Sequence, residues 1–384
     1  MPPRNARPAA KPRARAVWLR IHRWLGLVLG AGMALMGLTG SINVFTRELD
    51  AALHPALFAA TRSTHPLGPT AAFDLAQRAV PEHVGFLYAP DAVWPVWTAF
   101  FHRDGSVWTL TIDPGTGHVL GIRDPHSSPI GLIYRLHSDL LLAPWGGEQV
   151  VGVLGLFLLI MAASGIWLWW PRHSLRAALT RLRSHPRQVL YGDLHALAGI
   201  WSAVLIIVVA VTGAGVVFPG LVRPIVALAS PAAPTPPPHT TDPGRPPDIS
   251  AERAVAIALA ASPSEALRYV MRPEPSGHDG QSTAWQIGLR WQHGSTAHLV
   301  AGAIWVDPWS GAILAARTPE HASAGEMAMD SLLWIHNGSL FGWPGRILVF
   351  LSGLALPALF TTGLLFWSRK RRLRQVSRRL RGLC

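Results

Sequence analysis

Four stretches of the chain, 24–45, 150–170, 194–218 and 347–367, contain no Lys, Arg, Asp or Glu. A helix needs roughly 20 apolar residues to cross the hydrocarbon core of a bilayer. In lipid a backbone must satisfy its own hydrogen bonds, so runs of this kind cross as helices. The predicted fold class is therefore an α-helical membrane protein with four transmembrane helices.

Charge orients these helices. The 384 residues hold 34 Lys+Arg and 21 Asp+Glu, a net charge of +13 that in a soluble chain would suggest nucleic acid. Residues 1–23 carry seven basic side chains, 171–190 five and the stretch after Trp367 eight, with no acid in any of the three. The loops 46–149 and 219–346 hold 20 of the 21 acids. By the positive-inside rule both basic tails (1–23 and 368–384) and the 171–193 loop are cytoplasmic, and both long loops face outward. The expected partner of the charge is a lipid bilayer, with no nucleic acid. A signal peptide has an apolar core of 7–15 residues, and the first span is longer and lacks an A-x-A site, so it reads as an uncleaved anchor. The expected location is the inner membrane of a bacterium, with the long loops periplasmic.

The chain also repeats itself. His22, Gly26, Thr39-Gly40 and Phe45 match His195, Gly199, Thr212-Gly213 and Phe218 at a constant offset of 173. Gly155, Gly165 and Trp169 match Gly353, Gly363 and Trp367 at an offset of 198. One residue of slippage sets His137 opposite His336, each followed by a Pro/Trp/Gly break (Pro144-Trp145-Gly146, Trp343-Pro344-Gly345). An internal duplication in parallel orientation follows.

The long loops read as two periplasmic α+β modules. Residues 70–80 and 250–262 have helical spacing, with Ser250 as an N-cap. Alternating runs, 107–112 and 298–306, lead into Asp113-Pro-Gly-Thr-Gly117 and Asp307-Pro-Trp-Ser-Gly311, turns suited to hairpins. The Pro-rich stretch 231–247 is expected to be an extended linker.

One cysteine, Cys384, excludes an intrachain disulfide and thiolate-held clusters, whereas there are 17 histidines. Only His22/His195 and His137/His336 recur in both halves. In an up-down-up-down bundle each pair lies at one depth and can face inward, the arrangement two bis-His b-type haems require. The four histidines are the candidate axial ligands of haem iron, and Arg20, Arg23 and Arg135 are candidate propionate partners. His173 and His185 read as loop residues. The outer-loop histidines, among them His54, His83, His126, His278, His293, His298 and His321, read as scattered surface groups. The membrane-edge tryptophans, including Trp145 and Trp343, read as interfacial anchors. No span holds a carboxylate or lysine for an ion-coupled transporter, and no nucleotide-binding glycine motif follows a strand. No catalytic acid, base or nucleophile is expected.

Leu19-Arg-Ile-His-Arg-Trp-Leu-Gly26 opens the first span, and the Thr-Gly positions, the D-P-x-[ST]-G turns and Trp-Trp-Pro-Arg at 169–172 follow. On these residues the chain resembles the PepSY-associated transmembrane helix family of bacterial iron-regulated membrane proteins, from about 18 to 370. Within it the chain is similar to inner-membrane ferric-siderophore reductases of the FoxB type. The resemblance implies PepSY-like outer modules, two haems and reduction of siderophore-bound Fe(III) on the periplasmic side, releasing Fe(II) for uptake. The expected donor is a quinol or a cytosolic reductase. The alternatives are a non-catalytic PepSY binding or regulatory protein and a haem or siderophore permease.

Overall fold

The computed structural model describes residues 14–170, 174–232, 238–241, 245–276, 281–291, 302–318 and 322–381. His173, His278, His293, His298, His321, Arg172 and Cys384 lie outside the described residues, as do parts of the basic tails and of 231–247. The helices are α1 (Ala14–Val28), α2 (Gly30–Asn43), α3 (Thr46–Leu53), α4 (Pro69–Ala79), α5 (Pro129–Ser138), α6 (Gly147–Trp169), α7 (Leu175–Thr180), α8 (Arg187–Val217), α9 (Pro219–Ala227), α10 (Ala251–Ala261), α11 (Ala324–His336) and α12 (Gly342–Arg381). The strands are β1 (Phe86–Tyr88), β2 (Trp97–Arg103), β3 (Ser106–Ile112), β4 (Val119–Arg123), β5 (His239–Thr241), β6 (Glu265–Met271), β7 (Pro275–Ser276), β8 (Gln281–Thr283), β9 (Trp285–Trp291), β10 (Ala303–Val306) and β11 (Ile313–Arg317). They form two compact units, one of residues 1–44, 136–218 and 335–384, the other of 45–135 and 219–334.

The first unit is helical. Among the described residues α6, α8 and the long helix ending the chain are each long and apolar enough to cross a membrane, and the α1–α2 pair makes a fourth if its two parts are one span. That last span corrects the sequence reading: 24–45 is two helices bent by 62° at Leu29, not one rod. Gly26, Gly30 and Gly32 cluster at this point, and glycine both weakens helix and admits close neighbours. At Gly30 a Cβ would come within 2.5 Å of the Phe360 ring. α2 alone, at 14 residues, is about 21 Å long and too short to cross. α8 begins seven residues before the expected span, and α12 carries the fourth span on as helix through the basic tail to Arg381. In the bundle α2 and α8 each pack on both α6 and α12, which closes a ring of four. Small residues bring α2 close to α12: Ser41 donates from Oγ to the Phe350 carbonyl at 2.8 Å, and a Cβ at Gly37 would lie 2.5 Å from the Gly353 carbonyl.

The second unit holds the strands of both long loops, and they are joined rather than independent. Its strands form one antiparallel sheet of eight in the order β11-β10-β9-β6-β1-β2-β3-β4. The halves join where β1 pairs with β6, Leu87 opposite Val270. Each half supplies one helix and then four strands, α4 with β1–β4 and α10 with β6, β9, β10 and β11. One face of the sheet buries Leu87, Phe101, Leu110, Ile287 and Ile304 against Phe73 of α4 and Ala254 and Ala258 of α10. Ser250 caps α10 by accepting from Arg253 N–H, as its position predicts. Residues 239–241, inside the expected linker, instead pair as β5 with β8.

Both D-P-x-[ST]-G segments are the hairpin turns expected of them, ending on Gly117 and Gly311 at φ +74°. Burial alone would raise the Asp113 carboxyl, but donors from Thr116, Thr61 and Gly115 outweigh it and hold it well below the usual carboxylate range. Asp307 is lowered in the same way against its burial, by Ser310, Thr240 and Trp309.

Candidate functional site

The helical unit brings the four repeated histidines together in two pairs. The His22 and His195 ring centroids are 6.3 Å apart with planes at 84°, and those of His137 and His336 are 6.2 Å apart at 39°. Val209 on α8, which touches His336, lies 14 residues from His195, so at 1.5 Å per residue the two levels are about 20 Å apart.

Each imidazole is seated on a neighbouring helix by the same local device. His137 Nδ1 donates to the Met36 carbonyl at 3.0 Å, with Thr39 Oγ1 at 3.2 Å. His336 Nδ1 donates to the Val209 carbonyl at 3.0 Å, with Thr212 Oγ1 at 3.4 Å. His195 Nδ1 donates to the Leu359 carbonyl at 3.0 Å, with Thr362 Oγ1 at 3.4 Å. His22 Nδ1 lies 2.8 Å from Ser164 Oγ, beside the Met161 carbonyl. In every case the hydroxyl residue precedes a glycine and the carbonyl is four residues before that glycine: Gly40, Gly213, Gly363 and Gly165.

This device fixes the chemistry of the ring. A carbonyl can only accept, so the proton sits on Nδ1 and the Nε2 lone pair is left for another partner. Among the described residues no hydrogen bond reaches Nε2 of any of the four. The glycines keep the seats open: a Cβ at Gly40 or Gly213 would lie 2.7 or 2.6 Å from Cε1 of His137 or His336. The matching distances at Gly165 and Gly363 are 3.4 and 3.2 Å.

The PepSY-associated TM region family matches residues 19–370, nearly the whole chain. The chain belongs to this family. It is thus a membrane protein of a PepSY-associated class. No curated protein matches the chain.

In this PepSY-associated chain none of the arginines singled out in the sequence bonds to a seat among the described residues. Arg20 and Arg23 are exposed on α1. Two residues are about 200° round a helix, so Arg20 points away from His22. Arg135 is half-buried on α5, two residues before His137. His185 is exposed beside Ser184. Elsewhere His54 sits on Asp50, which Arg123 clamps with both Nη atoms, and His83 and His126 face Glu274 and Asp124. Among the described residues no group of three or more His, Cys, Asp or Glu gathers, so the histidines of the bundle meet as pairs.

The sequence reading missed Ser164 and Thr362. A [ST]-G dipeptide opposite each histidine was the available signal, and it occurs at all four seats.

Proposed function

We propose that the chain is a di-haem transmembrane electron-transfer protein, an oxidoreductase that reduces the iron of a ferric siderophore at the periplasmic face. Two b-type haems are held by His22 with His195 and by His137 with His336. The observation that carries this is the spacing of the rings. Two Nε2–metal bonds of about 2.0–2.1 Å, with each centroid a little over 1 Å behind its nitrogen, put the centroids about 6.3 Å apart. The pairs stand at 6.3 and 6.2 Å. When bound, each haem supplies a one-electron carrier.

The rest of the reading concerns what the chain's own residues do. The carbonyls of Met36, Val209 and Leu359 and the hydroxyl of Ser164 orient the imidazoles and raise their basicity. Arg23, next to His22 in sequence, is the proposed partner of a propionate, and Arg135, two residues from His137 as Arg20 is from His22, is not. The charge distribution supports cytoplasmic termini and an inner-membrane location. The constant offsets and the matched seats support an internal duplication, and the helix-plus-four-strand halves support PepSY-like modules. Reduction takes one electron per iron, and Fe(II), softer and less charged, holds hydroxamate or catecholate oxygens less tightly.

The test is anaerobic mixing of dithionite-reduced, desalted protein with a ferric hydroxamate siderophore and a ferrous-specific chelator. The reading expects ferrous chelate to form in step with reoxidation of the protein. Reduced, haem-bearing protein that yields no ferrous chelate would remove siderophore reduction from the account.

A further inference from the structure

A shallow groove of about 510 Å³ runs along α1 up to the bend, lined by Arg20, Ile21, Trp24, Leu25, Val28 and Leu29, with Phe157 of α6 beside it. These α1 residues fall in two adjacent rows, i, i+4 and i+8, so they form one face of the helix. The face is apolar except for Arg20 at one end, and it is open: Trp24 is 54% and Val28 70% exposed. No residue of α1 is buried, yet α1 carries His22 to its partner. The helix bears Arg15, Arg20 and Arg23 and no acid. Arg15 donates to the Leu168 carbonyl and Arg23 lies over the Trp24 ring. Arg20 has no hydrogen bond or ion pair among the described residues. The acids of the helical unit are Asp139, Glu148 and Asp193. Asp193 is bound by Arg183, and Glu148 sits in the first turn of α6, whereas Arg15 meets its last.

We propose that this groove seats one anionic phospholipid, with its phosphate on Arg20 and an acyl chain along Trp24, Val28, Leu29 and Phe157. An apolar row ending in one unpaired guanidinium matches an amphiphile with an anionic head. The lipid acts as a strut on the open face of α1, and so for the seat of His22. This role takes Arg20 out of the set of propionate partners.

Hydrogen exchange of residues 14–28 in the full chain, in nanodiscs of phosphatidylcholine with or without phosphatidylglycerol, tests it. The anionic lipid should slow exchange by about fivefold through binding to the folded helix. Arg20→Gln should abolish that difference, and so should Val28→Trp, which fills the groove and leaves the charge intact. Arg369→Gln, an equal loss of charge on α12 away from the groove, should preserve it. Exchange that ignores phosphatidylglycerol would overturn the proposal, as would an Arg369→Gln effect equal to that of Arg20→Gln, which marks bulk attraction. Equal protection by ubiquinone in phosphatidylcholine alone would reassign the groove to a neutral quinone. The readout does not depend on haem, so its failure leaves the electron-transfer reading standing, and the converse also holds.

Discussion

At His137 and His336 the imidazoles rest on Gly40 and Gly213 so closely that a methyl would stand 2.7 and 2.6 Å from a ring carbon, and both seats use threonine. At His22 and His195 the same device is looser, at 3.4 and 3.2 Å, and it is uneven, with Ser164 on one side and Thr362 on the other. The first pair is seated on α2 and α8, whereas the second depends on α1, none of whose residues is buried. One chemical device therefore has two mechanical settings: a tight, symmetric seat at His137 and His336, on the side proposed to be outer, and a looser one at His22 and His195, on the side proposed to be inner.

The comparison breaks most directly at the histidines. His137→Ala and His22→Ala should each remove about one of two haems, read as haem absorbance per chain, and the remaining signal should differ between them. Rings near 84° give a low-spin ferric resonance with a very large maximum g value, and rings near 39° give a more rhombic one. His137→Ala should keep the first and His22→Ala the second. Unchanged haem in either variant refutes that pair.

The next effect separates the seats themselves. Gly40→Ala or Gly213→Ala should lose the outer haem nearly as completely as His137→Ala, because the imidazole has nowhere to retreat. Gly165→Ala and Gly363→Ala should retain most of the inner haem, since their neighbours need shift only a few tenths of an ångström. Equal losses at all four would erase the difference between tight and loose seats.

Smaller still are the hydroxyl deletions. Thr212→Val leaves His336 its 3.0 Å bond to the Val209 carbonyl, whereas Ser164→Ala removes the 2.8 Å contact of His22. A hydrogen bond is worth about 0.5–1.5 kcal/mol net, so Ser164→Ala should weaken inner-haem retention roughly two- to tenfold and Thr212→Val much less. Haem transfer to apomyoglobin measures both.

The spans carried by α6, α8 and α12, the paired histidines and both aspartate turns were legible because each depends on local composition or on a repeat at constant offset. The bend was not legible, since Gly26, Gly30 and Gly32 inside an apolar run read equally as packing glycines. The shared sheet was not legible either: its junction is the three-residue β1 meeting β6 about 180 residues away, and period-2 alternation is silent on partners. Ser164 and Thr362 were hidden because a hydroxyl in a span ordinarily bonds back to its own helix. Ser164 does so, to Met161, while also receiving His22.

The least effect lies in the sheet unit, which contains neither pair. Asp113 and Asp307 have folded-state values below those of the unfolded chain, so the stability they contribute is present above the usual carboxylate range. It is lost as pH falls through that range towards the lowered values. Thermal melts from neutral to acid pH should show this loss, and Asp307→Asn should flatten it while leaving haem content unchanged.

The central claim is that two imidazole pairs hold two haems. It is tested most directly by the pyridine haemochrome assay on the purified full chain, with protein counted by amino-acid analysis. The account predicts two b-type haems per chain, and a folded, membrane-extracted protein with none, or with one that survives loss of either pair, would contradict it.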